Sequence, residues 1–514
     1  MQFFVTEATQ EQLDQIKEAI AQSARRAMEA GVDAIEVHGD RLLGSLCSTF
    51  LNHRTDHYGG SLENRVRYPL EVVKAIKEAA PSLFVEYKLP IITINEDGTS
   101  RGKGGLYEDE GIEFAKMLEE AGVDMIQVAQ ANHTGNMGDT IPPMGTVPYN
   151  WTLPTCRKVK AVVNVPVVTV GRVVSLENAE EILEAGDADM IGFGRSLLAD
   201  ADIVHKAQRK EPIRECLNCN KGCVDAIQGR RYISCILNAE NGDEGTIFIK
   251  PSEEKKHVVI LGAGIAGLEA ARVASLRGHQ VDLYEKEDHI GGQICIAAVP
   301  PRKSEILRSI EYYEKILPRL GVDLHLNTEC TKEAMNAADV VLCAIGAHDI
   351  TLPFVDANDP SVVSSWDVLN QSVRPTGKVA IIGGGLVGTE TAEYLVEQGA
   401  DVSIIEMIDH IANGESSTIL PLILEDFKQH DVKQYVNTKV DCIEEHVIYA
   451  TNTESNESVE IPFDYVVMAV GSKKNTIDLD GVTTPVTYIG DCSGERTASI
   501  CEAIRTAYHA ANGI

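Results

Sequence analysis

The chain has 514 residues, of which 44% are hydrophobic and 24% are charged. This is the composition of a globular protein with about three or four domains, and it excludes a collagen-like or disordered chain. The formal net charge is −31 and the sequence has no basic run, which argues against nucleic acid and anionic membranes as partners. Because no apolar stretch of about 18 residues and no secretory signal are visible, we expect a soluble, cytoplasmic protein.

Residues 1–212 alternate short apolar strands with amphipathic helices. The predicted strands are residues 34–37 leading into His38, 83–89, 125–129, 165–170 and 190–193, and the predicted helices include residues 10–30, 62–80, 110–121 and 176–185. Three helices end in turns with an expected C′ glycine, namely Gly31, Gly122 and Gly186. The alternation predicts an α/β fold with a parallel sheet, as in a (β/α) barrel, although only five of about eight strands are present.

The carboxyl ends of these strands carry candidate binding residues. Gly171-Arg172 and Gly194-Arg195 follow the last two strands, where the loops of such barrels commonly bind phosphate. A phosphate such as that of FMN suits these residues, and plain turns are the alternative. Lys88 ends another strand and could place its charge beside the N1–C2=O edge of a flavin.

Two histidines also end strands at this face of the predicted sheet. His38 follows the first strand, and His133 follows the strand at residues 125–129. Each is a candidate functional residue, with a solvated loop histidine as the alternative. Both interpretations, a functional histidine and a solvated loop histidine, stay open for each residue.

Four of the twelve cysteines lie close together in a loop-like segment at residues 213–250. They are Cys216, Cys219, Cys223 and Cys235, with the spacing C-x2-C-x3-C-x11-C. Three close thiolates and one distant thiolate can provide the four ligands of a cubane [4Fe–4S] cluster. Zinc sites more often pair two C-x2-C knuckles, so zinc and inert thiols are the alternatives.

From residue 256 the sequence predicts two nested dinucleotide-binding folds. The first, at residues 256–375 and 480–514, carries the fingerprint Gly262, Gly264 and Gly267, the strand-end acid Glu285, and the late Asp491 expected at the ribityl chain of FAD. The second, at residues 376–479, carries Gly383, Gly385, Gly388 and the strand-end acid Glu406. A carboxylate at position 406 would repel the 2′-phosphate of NADPH, which favours NADH.

These motifs resemble the 2-enoate reductase/2,4-dienoyl-CoA reductase group of the Old Yellow Enzyme (NADH:flavin oxidoreductase) family. The resemblance rests on IEVHG at residues 35–39, HRTDHYGGSLENRVRYPLEVV at 53–73, VTVGRV at 168–173, GFGRSLLADAD at 192–202, CLNCNKGC at 216–223, ILNAENG at 236–242 and both fingerprints. It covers essentially the whole chain. It implies a partial TIM (β/α) barrel with strands 4–8, then an iron–sulfur segment and two nested Rossmann-like domains.

The resemblance also implies the chemistry. Electrons would pass from NAD(P)H through FAD and a [4Fe–4S] cluster to FMN, and then to the C=C bond of an α,β-unsaturated carbonyl substrate of the enoate, enoyl-CoA or steroid-like type. By position, the implied FMN contacts are Lys88, Gly171, Arg172, Gly194 and Arg195, the implied cluster ligands are the four clustered cysteines, and the implied catalytic residues are His133 and His38.

The sequence departs from the family at two places. The family stretch H-G-x-[HN]-x-Y reads His38-Gly-Asp-Arg41-Leu-Leu43 here, so the proton-donating tyrosine is missing. The first three βα units of the family barrel have no counterpart, which a fragment, a mis-assigned start or a partner subunit that supplies the missing strands would explain. A homo-oligomer is a further expectation. Two rival functions therefore stay open, namely an electron-transfer or NADH-oxidising subunit with a degenerate barrel, and an amine-dehydrogenase-like enzyme.

Overall fold

The structure is a computed structural model that describes residues 7–95, 97–132, 137–356, 359–494 and 499–514. The chain divides into two compact units. The first contains residues 1–142 and 147–194, and the second contains residues 143–146 and 195–514. No helix in the described ranges is long and apolar enough to cross a membrane.

The first unit is built on one parallel sheet. Its strands are β1 (Ala34–His38), β2 (Phe84–Ile92), β3 (Leu106–Tyr107), β4 (Met125–Gln130), β5 (Val167–Thr169) and β6 (Met190–Ile191). They lie in the order β1-β2-β4-β5-β6, with β3 paired to the carboxyl end of β2. The five predicted strands are confirmed. Strand β3 was not predicted from the sequence, because two residues are too few to show an alternation of apolar and polar side chains.

Helices connect these strands and cover one face of the sheet. They are α1 (Gln10–Glu29), α2 (Arg41–Cys47), α3 (Leu62–Arg65), α4 (Arg67–Ala79), α5 (Glu108–Glu120), α6 (Met137–Thr140), α7 (Leu153–Lys160) and α8 (Leu176–Glu184). Gly31, Gly122 and Gly186 have φ angles of +80°, +98° and +70°, as the predicted C′ turns require. The helix predicted at residues 62–80 is two helices, because Pro69 has no N–H to donate to the Arg65 carbonyl group.

Side-chain alternation gives the sheet one buried face and one open face. Val85, Tyr87 and Leu89 of β2 are fully buried beneath the helices, whereas Glu86 and Lys88 point to the opposite face. The strands are paired in register, so His38 lies beside Lys88 and Lys88 beside Gln127. The carboxyl ends of the strands therefore bring polar residues to one edge of the sheet.

The second unit begins with short helices and continues into two dinucleotide-type folds. Its elements up to residue 349 are α9 (Arg195–Ala199), α10 (Ile203–Arg209), α11 (Val224–Gln228), β7 (His257–Leu261), α12 (Ile265–Leu276), β8 (Gln280–Tyr284), α13 (Gln293–Ala297), a 3₁₀ helix (Ser304–Leu307), α14 (Arg308–Arg319), β9 (Asp323–His325), α15 (Lys332–Ala337), β10 (Val340–Cys343) and β11 (Ala347–Asp349).

The remaining elements complete both folds. They are β12 (Val362–Ser364), α16 (Ser365–Leu369), β13 (Lys378–Ile382), α17 (Leu386–Glu397), β14 (Asp401–Ile405), α18 (Leu420–Gln429), β15 (Lys433–Tyr435), β16 (Thr438–Glu444), β17 (Val447–Asn452), β18 (Ser458–Pro462), β19 (Tyr465–Met468), β20 (Ser472–Lys474), β21 (Val486–Tyr488), a second 3₁₀ helix (Gly490–Cys492) and α19 (Ile500–Asn512).

The strand order shows that one fold is inserted into the other. The first sheet has the order β21-β10-β7-β8-β9, so the late strand β21 returns to pair with β10. The second sheet, β12-β19-β13-β14-β15, uses only residues between β11 and β20, which themselves form an antiparallel pair. A three-stranded antiparallel sheet, β16-β17-β18, completes the inserted fold. The predicted pair of nested Rossmann-like folds is confirmed.

Candidate functional site

The first glycine fingerprint forms a tight turn between β7 and α12. Gly262 has a φ angle of +93°, and a Cβ on Gly267 would lie 1.9 Å from the Gly262 carbonyl oxygen. A Cβ on Gly264, the N-cap residue of α12, would meet nothing within 4 Å. The first and third glycines therefore allow close backbone packing. The second leaves space at a helix N-terminus, where a pyrophosphate can bind.

The strand-end acid Glu285 is fixed against this turn. Its buried carboxylate accepts hydrogen bonds from the backbone N–H groups of Ala263 at 2.7 Å and Glu287 at 3.0 Å. A carboxylate has about four acceptor positions, so two more remain for other donors. Glu285 can therefore hold the turn and still accept a hydrogen bond from a ribose hydroxyl group.

Asp491 reaches the same turn from the returning C-terminal segment. Its Oδ2 accepts a hydrogen bond of 3.0 Å from Gln293 Nε2, and Gly291 pairs with Gly264 in an isolated β-bridge. Sequence reasoning missed residues 291–293. The paired glycines before Gln293 were the available signal, and both have positive φ angles.

The second fingerprint repeats this geometry between β13 and α17. Gly383 has a φ angle of +104°, a Cβ on Gly388 would lie 1.9 Å from the Gly383 carbonyl oxygen, and a Cβ on Gly385 would meet nothing within 4 Å. The Glu406 carboxylate accepts a hydrogen bond of 2.7 Å from the backbone N–H of Gly384. The two glycine turns, called the first and the second cradle below, therefore have the same construction.

The four clustered cysteines line one cavity. The cavity is open to solvent and spans about 340 Å³ of space free of protein atoms, solvent included. Its other lining residues are Arg195, Leu198, Leu217, Asn220, Gly222, Ser234, Ile236 and Leu237. Cys235, which is remote from the other three in sequence, is therefore brought to the same space. All of these residues belong to the second unit.

Asparagine residues allow the cysteine segment to turn around the cavity. Asn218 and Asn220 alternate with the cysteines and have φ angles of +55° and +61°. Asparagine tolerates this left-handed conformation better than most residues, because its short polar side chain can form local hydrogen bonds. The backbone N–H of Asn218 also donates a hydrogen bond of 3.3 Å to Cys216 Sγ.

Burial affects the thiols of this cavity. It raises the pKa of Cys219 and Cys223, and that of Cys235 to about 11. Within the described part of the chain, no three of the cysteine sulfur atoms lie within 4.8 Å of one another. Tetrahedral zinc with Zn–S bonds of about 2.3 Å needs sulfur–sulfur distances of about 3.8 Å.

Polar contacts join the cysteine segment to the second dinucleotide fold. The buried Asn220 side chain donates from Nδ2 to Thr418 Oγ1 at 3.1 Å, and Ser417 donates to Asp225 at 2.6 Å. The buried Glu415 carboxylate pairs with Lys221 and with Lys303, both at 3.2 Å. Lys303 also pairs with Glu390 of α17. Sequence reasoning missed this network, because its members come from distant segments.

The sheet β1–β6 and its helices form the half-barrel of the first unit. At its carboxyl end, Lys88 is half-buried and lies between His38, which is exposed, and Gln127. The Gln127 side chain donates to Glu86 at 2.9 Å and to Glu36 at 3.3 Å. These residues share the open face of the sheet. The edge strand β1 has a partner on one side within the described residues.

The loop after β5 contains the first Gly-Arg pair. A Cβ on Gly171, which has a φ angle of +148°, would lie 2.8 Å from Thr152 Oγ1 and 3.2 Å from Trp151 Nε1. Arg172 is buried, and its guanidinium carbon lies 4.9 Å from the ring centroid of Tyr149. The loop therefore needs a glycine and holds its arginine against an aromatic ring.

The second Gly-Arg pair falls at the boundary between the units. Gly194 ends the first unit, and a Cβ there would meet nothing within 4 Å. Arg195 begins α9 in the second unit, where its Nη1 donates a hydrogen bond of 2.5 Å to Asn220 Oδ1. His133, the other predicted catalytic residue, lies outside the described residues.

Two protein-family models match the chain. Residues 1–213 match the NADH:flavin oxidoreductase / NADH oxidase family, and residues 256–492 match the pyridine nucleotide-disulphide oxidoreductases. The first match covers the half-barrel with its carboxyl-end cations, and the second covers both glycine cradles. The chain thus combines an FMN-type domain with a domain for FAD and a pyridine nucleotide.

Similar proteins match the chain over nearly its whole length. A bilirubin reductase from Mediterraneibacter gnavus is 50% identical over 519 residues, which is 100% of this chain and 80% of that protein. A cinnamate reductase from Clostridium sporogenes is 37% identical over 99% of this chain and 78% of its own length. A solved 2-naphthoyl-CoA reductase complex matches with a TM-score of 0.88 and 27% identity, over 99% of this chain and 77% of that one.

These likenesses cover the whole chain and agree with the cradles and the half-barrel in the structure. The chain therefore belongs to the NADH:flavin oxidoreductase / NADH oxidase family and is an NADH-dependent flavin oxidoreductase of the ene-reductase type.

Proposed function

We propose that this enzyme uses NADH to reduce a C=C bond conjugated to a carbonyl group, and that bilirubin is its first candidate substrate. The observation that carries the proposal is the combination in one chain of two dinucleotide cradles, a four-cysteine cavity and a half-barrel with cations at its carboxyl end. The 50% identical relative named for bilirubin supports the choice of substrate.

In this proposal, the second fingerprint would hold NADH, the first would hold FAD, the four cysteines would hold a [4Fe–4S] cluster and the half-barrel would hold FMN, which would give a path for electrons from NADH to FMN. When bound, these groups supply the hydride and single-electron chemistry. The residues of the chain bind and orient them. Gly264 and Gly385 leave room for the two pyrophosphates, and Glu285 and Glu406 accept hydrogen bonds from the adenosine riboses.

The cysteine cavity fits an iron–sulfur cluster better than a single zinc ion. In a cubane each of four irons takes one thiolate, so the ligating sulfurs stand well apart. The four cysteines line a common cavity, but no three of their sulfurs lie within 4.8 Å of one another. We therefore propose Cys216, Cys219, Cys223 and Cys235 as cluster ligands.

We assign FMN to the carboxyl end of the half-barrel. Lys88 would place its positive charge beside the flavin ring, where it stabilises negative charge on the reduced flavin. Gly171, Arg172 and Gly194 would contact the phosphate group, because loops after the last strands of such barrels bind phosphate. The predicted contact between Arg195 and FMN stays a prediction.

The proton that is added to the substrate during C=C reduction needs a donor other than tyrosine. Leu43 stands where the resembling family has its proton-donating tyrosine, and this leucine is buried in the core beneath the sheet. His38 ends β1 with an exposed side chain beside Lys88. We propose His38, together with His133, as the proton-donating residues.

The first prediction tests the overall reaction. Purified enzyme given NADH and bilirubin without oxygen should oxidise about one NADH for each C=C bond reduced, because each reduction takes two electrons. Absorbance follows NADH, and mass spectrometry detects products heavier by two hydrogen atoms per bond. Oxidation of NADH by an artificial acceptor without reduction of any conjugated substrate would instead indicate an electron-transfer subunit. Flavin reduction by an amine would indicate an amine dehydrogenase.

The second prediction concerns the cluster. Anaerobically purified enzyme should contain about four irons per chain, with broad absorbance near about 400 nm. Cys219→Ser should remove this absorbance and slow reduction of the conjugated substrate, while NADH oxidation by an artificial acceptor continues. Cys442→Ser, which changes a cysteine of β16 outside the cavity, is the matched control and should keep its iron. One zinc per chain without iron would contradict the proposal.

The third prediction concerns nucleotide choice. Because the Glu406 carboxylate is fixed beside the second cradle, kcat/KM for NADH should exceed that for NADPH by at least about tenfold, or about 1.4 kcal/mol. Glu406→Gln should narrow this difference, since it removes the repulsion of the 2′-phosphate. Glu285→Gln provides the comparison in the first cradle and should leave the ratio unchanged. Equal use of both nucleotides by the wild-type enzyme would refute the assignment.

The fourth prediction separates packing from binding within the first cradle. Gly267→Ala should destabilise the protein by about 1–3 kcal/mol and lose FAD, because the new methyl group collides with the Gly262 carbonyl oxygen. Gly264→Ala should change stability by less than about 1 kcal/mol. It should nevertheless weaken FAD binding at least about tenfold, because its methyl group occupies the space for the pyrophosphate.

Denaturant unfolding and the FAD content after dialysis measure the two effects. Gly385→Ala, the matching change in the second cradle, should retain FAD and raise KM for NADH. Undiminished FAD binding in Gly264→Ala would show that the pyrophosphate lies elsewhere.

A further inference from the structure

A second arginine lies at the carboxyl end of the half-barrel, in the segment between β2 and β3. The guanidinium carbon of Arg101 lies 4.9 Å from the ring centroid of Trp151, and the side chain is partly buried. Within the described residues, its guanidinium group makes no hydrogen bond and no ion pair. A cation held on an indole ring with its N–H donors unused is suited to bind an anion.

The backbone of Arg101 is held in place by a buried polar group. Its N–H donates to the Thr93 carbonyl oxygen at 2.8 Å, and its own carbonyl oxygen accepts a hydrogen bond of 2.5 Å from Gln130 Nε2. The Oε1 of buried Gln130 in turn accepts from the Thr93 hydroxyl group at 2.6 Å. Gln130 therefore ties this segment to the end of β4, which fixes the point from which the Arg101 side chain extends.

Charged groups of both signs lie near Arg101. Burial lowers the pKa of Arg101 most, Asp139 raises it, and the nearby Arg172 lowers it. The Asp139 carboxylate is also shared, because Oδ2 accepts a hydrogen bond of 2.7 Å from Asn132. Arg101 therefore has one anionic and one cationic neighbour in the first unit.

Trp151 contributes an additional donor. Its Nε1 atom is buried and has no hydrogen-bond partner among the described residues. This atom would lie 3.2 Å from a Cβ on Gly171, so it faces the loop after β5. A buried donor without a partner is unfavourable by about 1–3 kcal/mol, and a bound ligand would remove that penalty.

We infer that Arg101 binds a carboxylate group of the substrate and makes the enzyme select free acids over neutral esters. This inference rests on the proposed function. A guanidinium group can donate two parallel hydrogen bonds to a carboxylate, and stacking on Trp151 holds the group in place before the substrate arrives. Arg101 extends from the segment after β2 and lies near Arg172 of the loop proposed for the FMN phosphate. We assign the substrate carboxylate to Arg101, and the FMN content of each variant tests the flavin phosphate as the other anion.

Paired acid and ester substrates test this inference. Bilirubin and its dimethyl ester are compared for kcat/KM and for dissociation constants measured by flavin absorbance of the oxidised enzyme without NADH. The wild-type enzyme should prefer the acid. Arg101→Gln should raise KM and the dissociation constant for the acid at least about tenfold and change those for the ester less than about threefold. Arg101→Lys should give intermediate values, because it keeps the charge and loses the planar group.

Lys103→Gln provides the matched control. It removes one positive charge from the same segment, at an exposed side chain two residues away. It should leave the acid-to-ester ratio within about twofold of the wild-type value. FMN content is measured for every variant.

Three outcomes would overturn the inference. Equal losses for acid and ester in Arg101→Gln would show that Arg101 does not contact the carboxylate. Loss of FMN with an unchanged acid-to-ester ratio would assign Arg101 to the flavin phosphate. If Lys103→Gln lowered the acid-to-ester ratio as much as Arg101→Gln does, the preference for the acid would come from general electrostatic attraction by this segment. If the wild-type enzyme reduced neither compound, the proposed function would fail, and the binding measurements would still decide whether Arg101 recognises the acid.

Discussion

Close backbone contact between the first and third glycine of each fingerprint is the constraint on which both nucleotide cradles depend. In each fold, a side chain on the third glycine would collide with the carbonyl oxygen of the first, so the helix packs directly on the strand end. That contact points the N-terminus of the helix toward the space beside the second glycine. The partial positive charge of the helix end then favours a pyrophosphate there.

The proposed binding sites carry local positive charge, although the chain as a whole is strongly negative. A net charge of −31 repels anionic ligands at long range. Lys88 and Arg172 bring positive charge to the carboxyl end of the half-barrel. Arg195 lines the cysteine cavity, and Lys303 is buried against two carboxylates. Positive charge is thus concentrated at the proposed phosphate site, beside the cysteine thiols and beside buried carboxylates.

The cysteine segment shows how a loop with little regular structure can be held rigidly. Asparagines in the left-handed conformation turn the chain between successive cysteines. Asn220 then joins Arg195 to Thr418, and the buried carboxylate of Glu415 joins Lys221 to Lys303. Three segments that are far apart in sequence thereby support one cavity. Such support would matter for the proposed cluster, because groups around the sulfurs influence its reduction potential.

The sequence alone determined the features that depend on local pattern. The five strands of the half-barrel, the C′ glycines and both fingerprints could be read from it, because each is set by residues close together in the chain. The single helix predicted over residues 62–80 was wrong, since Pro69 interrupts the helical hydrogen bonds. Features that join remote segments were decided only by the tertiary structure. They include the stacking of Arg101 on Trp151 and the bridge from Gly291 to Gly264. No periodicity or spacing encodes such contacts, because they arise from the packing of segments far apart in the chain.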